Sequence, residues 1–455
     1  MKQSALTITF ICSILLLISG NIQKSNAQSK PHKTASSDFA KIYQNRINKI
    51  QKTPGLAAFW DFVKREDGIG GSGRFSAYTS KGDSRPYILE PHNISRDFWL
   101  DGPEASMADF PLLGRGPFGQ AVQFTNPDSL NNLPVLLVPR KELNDSPIDV
   151  KGPGKSVSML VWMIYQGGDH AIAGLWHEGT DSPSKEPPVV QVRGQRQYGL
   201  FAGLGAKKGA ASVHVSENGL ASFGDVYARH LSVTNETMDK TPNDASAQKL
   251  DSSWCVVGFV YDNKKKCVTT YLNGVATENW MDDPANNKFY KYAEKAWKQA
   301  KLAAIPGIQD GEDAGFPKDQ FYNPPEDKLC REVVISETES EKVVIRTYEF
   351  TKVRFVYHKD SKGKFNQLVS SDLVSIKANP YYFGKDIYSP RKPEEGSPFT
   401  IGRAIHSVRH ATLSAYIGGV AVFNEVLSPK EIKELSLIGR SKEMPVIKLK
   451  EIVKN

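Results

Sequence analysis

The chain has 455 residues, of which 40% are hydrophobic and 24% charged, and its formal charge is +8. This composition is ordinary for a soluble globular protein and excludes a chain that is mainly disordered. The positive charge forms no basic block, and no nucleic-acid or phosphate-loop motif is present. The charge is therefore compatible with an anionic polysaccharide partner, but equally with a plain solvated surface.

The N-terminus has the features of a signal peptide. Lys2 supplies a positive charge, an apolar run covers residues 5–18, and Ser25 and Ala27 give the small-x-small pattern of a cleavage site. Removing residues 1–27 takes away two lysines and no acid, which lowers the formal charge from +8 to +6. No later run is apolar for long enough to cross a bilayer. We expect an exported protein: periplasmic, cell-surface or secreted.

Three cysteines remain after that cleavage, because Cys12 lies inside the apolar run. An odd number leaves at least one thiol unpaired. Cys255 and Cys267 fall on the two strands of one predicted hairpin, in a register that holds them too far apart for a direct bridge. A pair of either one with Cys330 stays open.

A linker and short helix are predicted over residues 28–55. Ser37 can cap a helix that runs to about Gln51, and Pro54 and Gly55 end it. From Leu56 onward the pattern changes to short β-runs between turns. The clearest predicted strand lies at 156–163. Further strands are predicted at 189–192, 198–202, 254–261, 267–272, 332–336, 342–350, 353–358 and 415–423.

One stretch interrupts the β-pattern. Aromatic and alanine residues between 289 and 300 repeat at helical spacing, so a helical insertion is predicted over about 279–330. After the last strand, Ser428 and Glu431 form a capping box with Pro429 at the first helical position, which predicts a closing helix. Many strands, Gly/Asn turns and few helices indicate a sandwich.

Several stretches resemble the laminin-G-like, concanavalin A-like lectin/glucanase jelly-roll family, in the family's order. They are the strand Leu56 to Phe62, the turn and strand Gly116 to Phe124, the strand Ser156 to Met163, the hairpin Tyr271-Leu272-Asn273-Gly274, the pair Ile401-Gly402, and the closing strand with Leu427 to Ile432. The resemblance covers about residues 56–437, with a tail over 438–455. It implies an all-β fold, a two-sheet antiparallel jelly-roll sandwich with a helical insertion and short terminal helices.

This fold carries lectins, binding modules, adhesins and enzymes, so it does not set the function. The sandwich enzymes that cut glucans use Glu-x-Asp-x-Glu on one strand, and Glu337, Glu339 and Glu341 have that spacing. Thr338 and Ser340 stand where a buried strand needs apolar residues. The sequence therefore favours an exposed hairpin loop for this run.

A second catalytic possibility is a polysaccharide lyase. Such enzymes use a Tyr/His pair with Arg or Gln to neutralise a uronate and remove a proton. The residues that could supply this set are Arg193, Gln195, Arg196, Gln197, Tyr198 and His214. The family's lyase motifs are not reproduced, and an ordinary polar sheet face remains the alternative.

Two loops suit a sugar better than either catalytic set. Trp176, His177 and Glu178 place an aromatic ring beside hydrogen-bonding groups, and a second polar loop runs over 216–225. Structural loops with a packed Trp are the alternative. The predicted ligand-binding residues are Trp176, His177, Glu178, Arg196, Tyr198, His214, Glu217 and Asn218.

Calcium is common in lectin-like members of the family, and Asp61, Asp67 and Asp225 are loose candidates, but no acidic ladder is present and no metal is assigned. The sequence favours an exported, non-catalytic carbohydrate-binding protein that recognises a polysaccharide or glycoconjugate. A polysaccharide lyase or glycoside hydrolase is one alternative. An adhesive or structural protein-binding module is the other.

Overall fold

The computed structural model describes residues 34–98, 102–125, 131–177, 195–204, 207–217, 219, 231–287, 289–302, 322–405 and 413–440. Several predictions fall outside these residues: the signal peptide at 1–27, the strand at 189–192, the end of the tail, and the candidates Glu178, Arg193, Asn218 and Asp225.

The described strands, in chain order, are β1 (Leu56–Trp60), β2 (Lys64–Arg65), β3 (Gly68–Ile69), β4 (Tyr78–Thr79), β5 (Glu90–Asn93), β6 (Val122–Phe124), β7 (Pro134–Val138), β8 (Val157–Gly168), β9 (Ala171–Trp176), β10 (Arg196–Phe201), β11 (Ala210–Val215), β12 (Leu231–Thr237), β13 (Cys255–Asp262), β14 (Cys267–Leu272), β15 (Asn279–Asp282), β16 (Arg331–Glu337), β17 (Glu341–Thr347), β18 (Thr351–Lys359), β19 (Phe365–Asn379), β20 (Tyr381–Tyr382), β21 (Phe399–Ile401) and β22 (Leu413–Phe423). The described α-helices are α1 (Thr34–Gln51), α2 (Ser95–Phe98), α3 (Arg140–Leu143), α4 (Ala247–Ser252), α5 (Lys291–Leu302) and α6 (Pro429–Ser436).

Two antiparallel sheets form the sandwich. Sheet 1 has the strand order β20-β14-β13-β8-β22-β1-β4, with β6 beside β22, and sheet 2 has the order β12-β11-β10-β9-β21-β7-β5. The main hydrophobic core lies between them and takes side chains from both, for example Val161 and Val257 from sheet 1 and Leu200 and Val213 from sheet 2. The predicted all-β sandwich is confirmed.

Strand β8 is apolar at nearly every position, and the packing on its two faces explains why. Met159, Val161 and Met163 point into the core between the sheets. Leu160 and Trp162 point the other way, into a second cluster on the outside of sheet 1. Side chains alternate across a strand, so a strand covered on both faces must be apolar on both.

The terminal helices cover the outer face of sheet 1. Ile50 of α1 and Ile432 of α6 are buried in the same cluster as Trp162. Helix α1 begins at Thr34, three residues before the predicted start. Helix α6 begins as predicted: the Ser428 hydroxyl accepts a hydrogen bond from the Glu431 amide at 3.2 Å, and the Glu431 carboxylate accepts one from the Ser428 amide at 2.8 Å.

A third sheet was not predicted as a unit, although three of its strands were. Sheet 3 has the order β15-β19-β18-β17-β16. Sheet 3 and helix α5 share a hydrophobic cluster with strand β12 of sheet 2. In this cluster Trp297 of α5 and Ile376 of β19 pack with Leu231 of β12. Helix α5 lies where the alanine and aromatic spacing predicted it. The same segment also contains strand β15.

The described cysteines are unpaired, and Cys255 and Cys267 lie at opposite ends of their hairpin as predicted. Asp262 is opposite Cys267 at the turn, whereas Val257 is opposite Leu272 near the far end. Within the described ranges, no helix is both long enough and apolar enough to span a membrane.

Candidate functional site

Three neighbouring strands of sheet 2 bring most of the described candidate residues to one end of the sheet. Arg196 on β10 is opposite Trp176 on β9. The His177 amide donates to the Gln195 carbonyl at 2.8 Å, and the Ser216 amide, which follows β11, donates to the Gln197 carbonyl at 2.9 Å. Glu217 comes next in the chain, so it leaves the sheet at this same end. We call this region the β9–β11 end.

Side chains that face away from the sandwich core form an aromatic group beside this end. The His214 ring lies 5.3 Å from the Trp176 ring and 5.5 Å from the Phe201 ring, between centroids. Trp176 and Phe201 are themselves 5.9 Å apart in an edge-to-face arrangement. His170 extends the group, with its ring 5.7 Å from Phe201. The geometry is that of favourable aromatic pairs.

Two facing glycines make this packing possible. Gly174 on β9 is opposite Gly199 on β10. A Cβ atom on Gly199 would stand 2.9 Å from the Phe201 ring and 3.2 Å from the Trp176 Cβ atom. The rings of Trp176 and His214 meet over β10 because Gly199 has no side chain there.

Two arginines are buried close to the aromatic group. Arg196 has no exposed surface, and its register with Trp176 places both side chains on the outer face. Arg403 precedes Ala404, which packs with Trp176 and Phe201. Burial lowers the pKa of Arg403 to about 10, so this guanidinium remains charged at neutral pH. Both arginines therefore belong to the packed interior of the protein rather than to its solvent-exposed surface.

The candidates differ in how far solvent reaches them. Trp176 is 2% exposed, and Arg196 and His214 are fully buried. His177 and Glu217 are half-buried. The structure therefore places Trp176 in a packed cluster rather than on an open stacking surface, and leaves His177 and Glu217 as the groups that a large ligand can reach. The ligand-binding role of each stays a prediction.

Tyr198 lies on the opposite face of the sheet from His214. Its hydroxyl donates to the Ile148 carbonyl at 2.7 Å, and burial raises its pKa well above the usual value. Tyr198 packs in the core between the sheets. The two residues therefore do not form a Tyr/His pair in a common cleft, as a lyase would need.

The neighbouring Gln197 belongs to a buried ionic network that the sequence did not reveal. Its amide donates to Asp149, whose carboxylate also accepts two hydrogen bonds from Arg140 at 2.8 Å and one from Lys151 at 2.6 Å. Burial alone would raise the pKa of Asp149, but the bonds from Arg140 and Lys151 outweigh burial and hold it below its usual value. The network fixes the segment before β8 against strand β10.

The Glu337, Glu339 and Glu341 run is an exposed hairpin loop, as the sequence favoured. Strand β16 ends at Glu337 and β17 begins at Glu341. Glu337 pairs with Lys342 at 3.0 Å and Glu341 with His358 at 3.7 Å, on partly exposed side chains. Glu337 and Glu339 are exposed and Glu341 is half-buried, so these carboxylates lack the burial that tunes a catalytic pair.

The two described calcium candidates are engaged by the backbone. Asp61 accepts from the Val63 and Lys64 amides at 2.9 and 2.8 Å. Asp67 accepts from the Ser72 and Gly73 amides. Among the described residues, no group of three or more His, Cys, Asp or Glu side chains is arranged to hold a metal ion.

No protein-family model matches the chain. No curated protein is significantly similar to it either. Among solved structures, domain 4 of the extracellular arabinanase AbnA from Geobacillus stearothermophilus, in complex with arabinotriose, is 9% identical with a TM-score of 0.34, and the match covers 84% of this chain and 98% of that one. The binding domain of Paraclostridial Mosquitocidal Protein 1 is 8% identical with a TM-score of 0.33, covering 84% and 52%.

The ligand binding domain of Botulinum neurotoxin serotype D, in complex with N-acetylneuraminic acid, is also similar. It is 6% identical with a TM-score of 0.31, and the match covers 88% of this chain and 52% of that one. The chain thus spans about half the length of the two toxin structures. At these TM-scores the similarities carry no argument about what this chain binds.

Proposed function

We propose that the chain is an exported, non-catalytic carbohydrate-binding protein that holds a polysaccharide or glycoconjugate at the β9–β11 end of sheet 2. The observation that carries the proposal is the strand register, which gathers His177, Arg196 and Glu217 at one end of three adjacent strands. A sugar hydroxyl is both donor and acceptor, so an imidazole and a carboxylate within reach of solvent suit it.

The buried residues beneath this end support the two accessible groups. Trp176 and Phe201 pack against His214 and hold the strand ends in place. Arg196 lies buried below the surface of this end, opposite Trp176. Preorganised side chains lower the entropy lost on binding.

Export rests on the N-terminal segment. Lys2, the apolar run at 5–18 and the small residues Ser25 and Ala27 give the pattern of a cleaved secretory signal. A polysaccharide or glycoconjugate outside the cytoplasm is a natural partner for a protein with such a signal.

A non-catalytic role is favoured over glycoside hydrolysis because the strand register brings a single carboxylate to the β9–β11 end among the residues that the structure describes. Of the residues that the register gathers there, Gln195, Arg196, Ser216, His177 and Glu217, only the last is a carboxylate, and glycoside hydrolysis commonly needs two. A polysaccharide lyase is the second candidate, since His214 and Arg196 share the outer face of sheet 2.

The proposal is tested with a glycan array and two surface variants. We expect the wild-type protein to bind one class of polysaccharide. His177→Ala and Glu217→Gln should each weaken that binding roughly tenfold, about the worth of one hydrogen bond to a charged group. His92→Ala is the matched control because His92 is a partly exposed histidine on β5, the far edge strand of sheet 2.

Equal loss of binding in the His92→Ala control would place the site elsewhere. Binding that survives both His177→Ala and Glu217→Gln would also contradict the proposal. Release of unsaturated products that absorb in the ultraviolet would favour the lyase.

A further inference from the structure

The outer strand of sheet 3 is exposed along its whole length. Strand β16 pairs only with β17 in the described structure, and all seven of its residues are exposed. Three consecutive apolar residues lie at its centre: Val333, Val334 and Ile335 are 36%, 48% and 56% exposed. Such a strand presents both unpaired backbone groups and apolar side chains to solvent.

The exposure follows from how sheet 3 is attached. Its cluster with α5 and β12 takes side chains from strands β18 and β19, such as Val353 and Ile376, and none from β16. Strand β16 stands at the other side of the sheet, four strands from β15. No described helix or sheet covers either face there.

Edge strands are usually protected by charges or by a β-bulge. Strand β16 has a β-bulge, and it has charged residues near its two ends. Its register with β17 shifts between Val334 and Ser336, which leaves Ile335 without a partner residue. Glu332 pairs with Arg346 at 2.7 Å across to β17. Neither feature puts a charge among the three central apolar residues.

The order of residues along β16 is complementary to itself in the antiparallel direction. If two copies pair about Val334, then Arg331 of each copy lies opposite Glu337 of the other. Val333 then lies opposite Ile335, and Val334 opposite Val334. A parallel pair would instead place Arg331 opposite Arg331. Opposite charges and apolar pairs directly across two strands stabilise a sheet, whereas like charges destabilise it.

We propose that β16 pairs antiparallel with β16 of a second copy of this chain, which joins two copies of sheet 3 into one continuous sheet. The arrangement has a two-fold axis at Val334, so each copy uses the same surface and the assembly closes as a dimer. The distal half of β19 is the other open side of sheet 3, since β15 covers only Ser375 to Asn379. Pairing of β16 with that side would give open chains rather than a closed dimer.

A pair of seven-residue strands is small beside the roughly 1,200 Å² or more that a stable interface buries. The dimer is therefore expected to depend on concentration. Sedimentation equilibrium of the purified protein measures this directly. A reducing agent is included because the exposed Cys330 thiol could otherwise crosslink copies.

The decisive variants exchange the charges at the two ends of the strand. Arg331→Glu places Glu opposite Glu337 twice in a dimer, and Glu337→Arg places Arg opposite Arg331 twice. Each variant alone should have its dimer dissociation constant raised at least about tenfold. An equimolar mixture should dimerise again, because both contacts then join opposite charges. Restored dimerisation in the mixture would also show that each variant is folded.

A second pair of variants separates β16 from the other open side of sheet 3. Val334→Lys should abolish the dimer, whereas Leu368→Lys, at a similarly exposed position on β19, should leave it intact. A wild-type protein that stays monomeric at all concentrations would overturn the proposal. So would a mixture of the charge variants that fails to dimerise, or a dimer that is lost with Leu368→Lys and kept with Val334→Lys.

Discussion

Trp176 and His214 lie on strands that are not paired with each other, yet their ring centroids are 5.3 Å apart. Strand β10 runs between them, and its Gly199 leaves the space in which the rings meet. This contact joins strands β9, β10 and β11 at the outer face of sheet 2. The positions of His177 and Glu217 depend on the same three strands.

Filling that space should destabilise the protein. In Gly199→Ala the added methyl group meets the Phe201 ring and the Trp176 Cβ atom, so we expect a loss of about 1–3 kcal/mol, typical of an overpacked core. Urea unfolding measures the change. Phe201→Leu should cost less in the Gly199→Ala background than in the wild type, because the smaller side chain makes room. Strictly additive costs would show that the two residues do not compete for space.

The buried carboxylate of Asp149 should make stability depend on pH. Its folded pKa is lowered, so its contribution is complete above the unfolded value of about 3.9 and is lost as the pH falls through the folded pKa. Asp149→Asn breaks a buried network with Arg140 and Lys151, and we expect a cost of about 3–5 kcal/mol at pH 7. The difference in stability between the two proteins should begin to shrink below about pH 4 and should disappear only once the pH falls below the folded pKa of Asp149.

Asp97→Asn is the control for that experiment. Asp97 pairs with His92 on partly exposed side chains, and the loss of a surface pair costs about 1 kcal/mol or less. If Asp149→Asn were as mild as Asp97→Asn at pH 7, the Asp149 network would not stabilise the sandwich.

The local features of the fold could be predicted from the sequence, because short-range physics determines them. The alternation of side chains along residues 156–163 predicted strand β8. The spacing of apolar residues predicted helix α5, and Ser428 with Glu431 predicted the start of α6. The separate sheet 3 could not be predicted, since strand patterns do not say which strands share a sheet.

The candidate site was only partly predictable for a similar reason. Simple alternation puts Arg196 on the same face as Tyr198. A register shift between them instead places Arg196 beside Trp176 on the outer face. The pattern around Trp176 also could not show that its ring is covered, because that burial comes from distant parts of the chain such as Phe201 and Ala404.

The cap of the last helix should contribute measurably to stability. Ser428→Ala removes the acceptor for the Glu431 amide, and we expect a loss of about 1 kcal/mol. Thermal melts monitored by circular dichroism compare the variant with the wild type. Ser428→Asp keeps an acceptor at the same position and should retain most of the stability. An unchanged melting curve for Ser428→Ala would contradict a stabilising role for this cap.

Thiol labelling should distinguish the cysteines. Burial raises the pKa of Cys255 to about 12 and that of Cys267 to about 11, whereas Cys330 is exposed. A thiolate is the reactive form, so we expect the native protein to label at Cys330 and to label at all three only after unfolding. Mass spectrometry locates the label. In Cys330→Ser, rapid labelling of the native protein would contradict the buried positions of the other two.

The central claim is that this protein binds a glycan and leaves it whole. The most direct measurement incubates the protein with the polysaccharide that it binds best on the array, then determines the polymer's molar mass by size-exclusion chromatography with light scattering. We predict that wild-type protein elutes with the polymer, that His177→Ala protein largely does not, and that the polymer's mass is unchanged in both. A polymer that shortens with time in the presence of wild-type protein, or a protein that never elutes with any polysaccharide, would contradict the account.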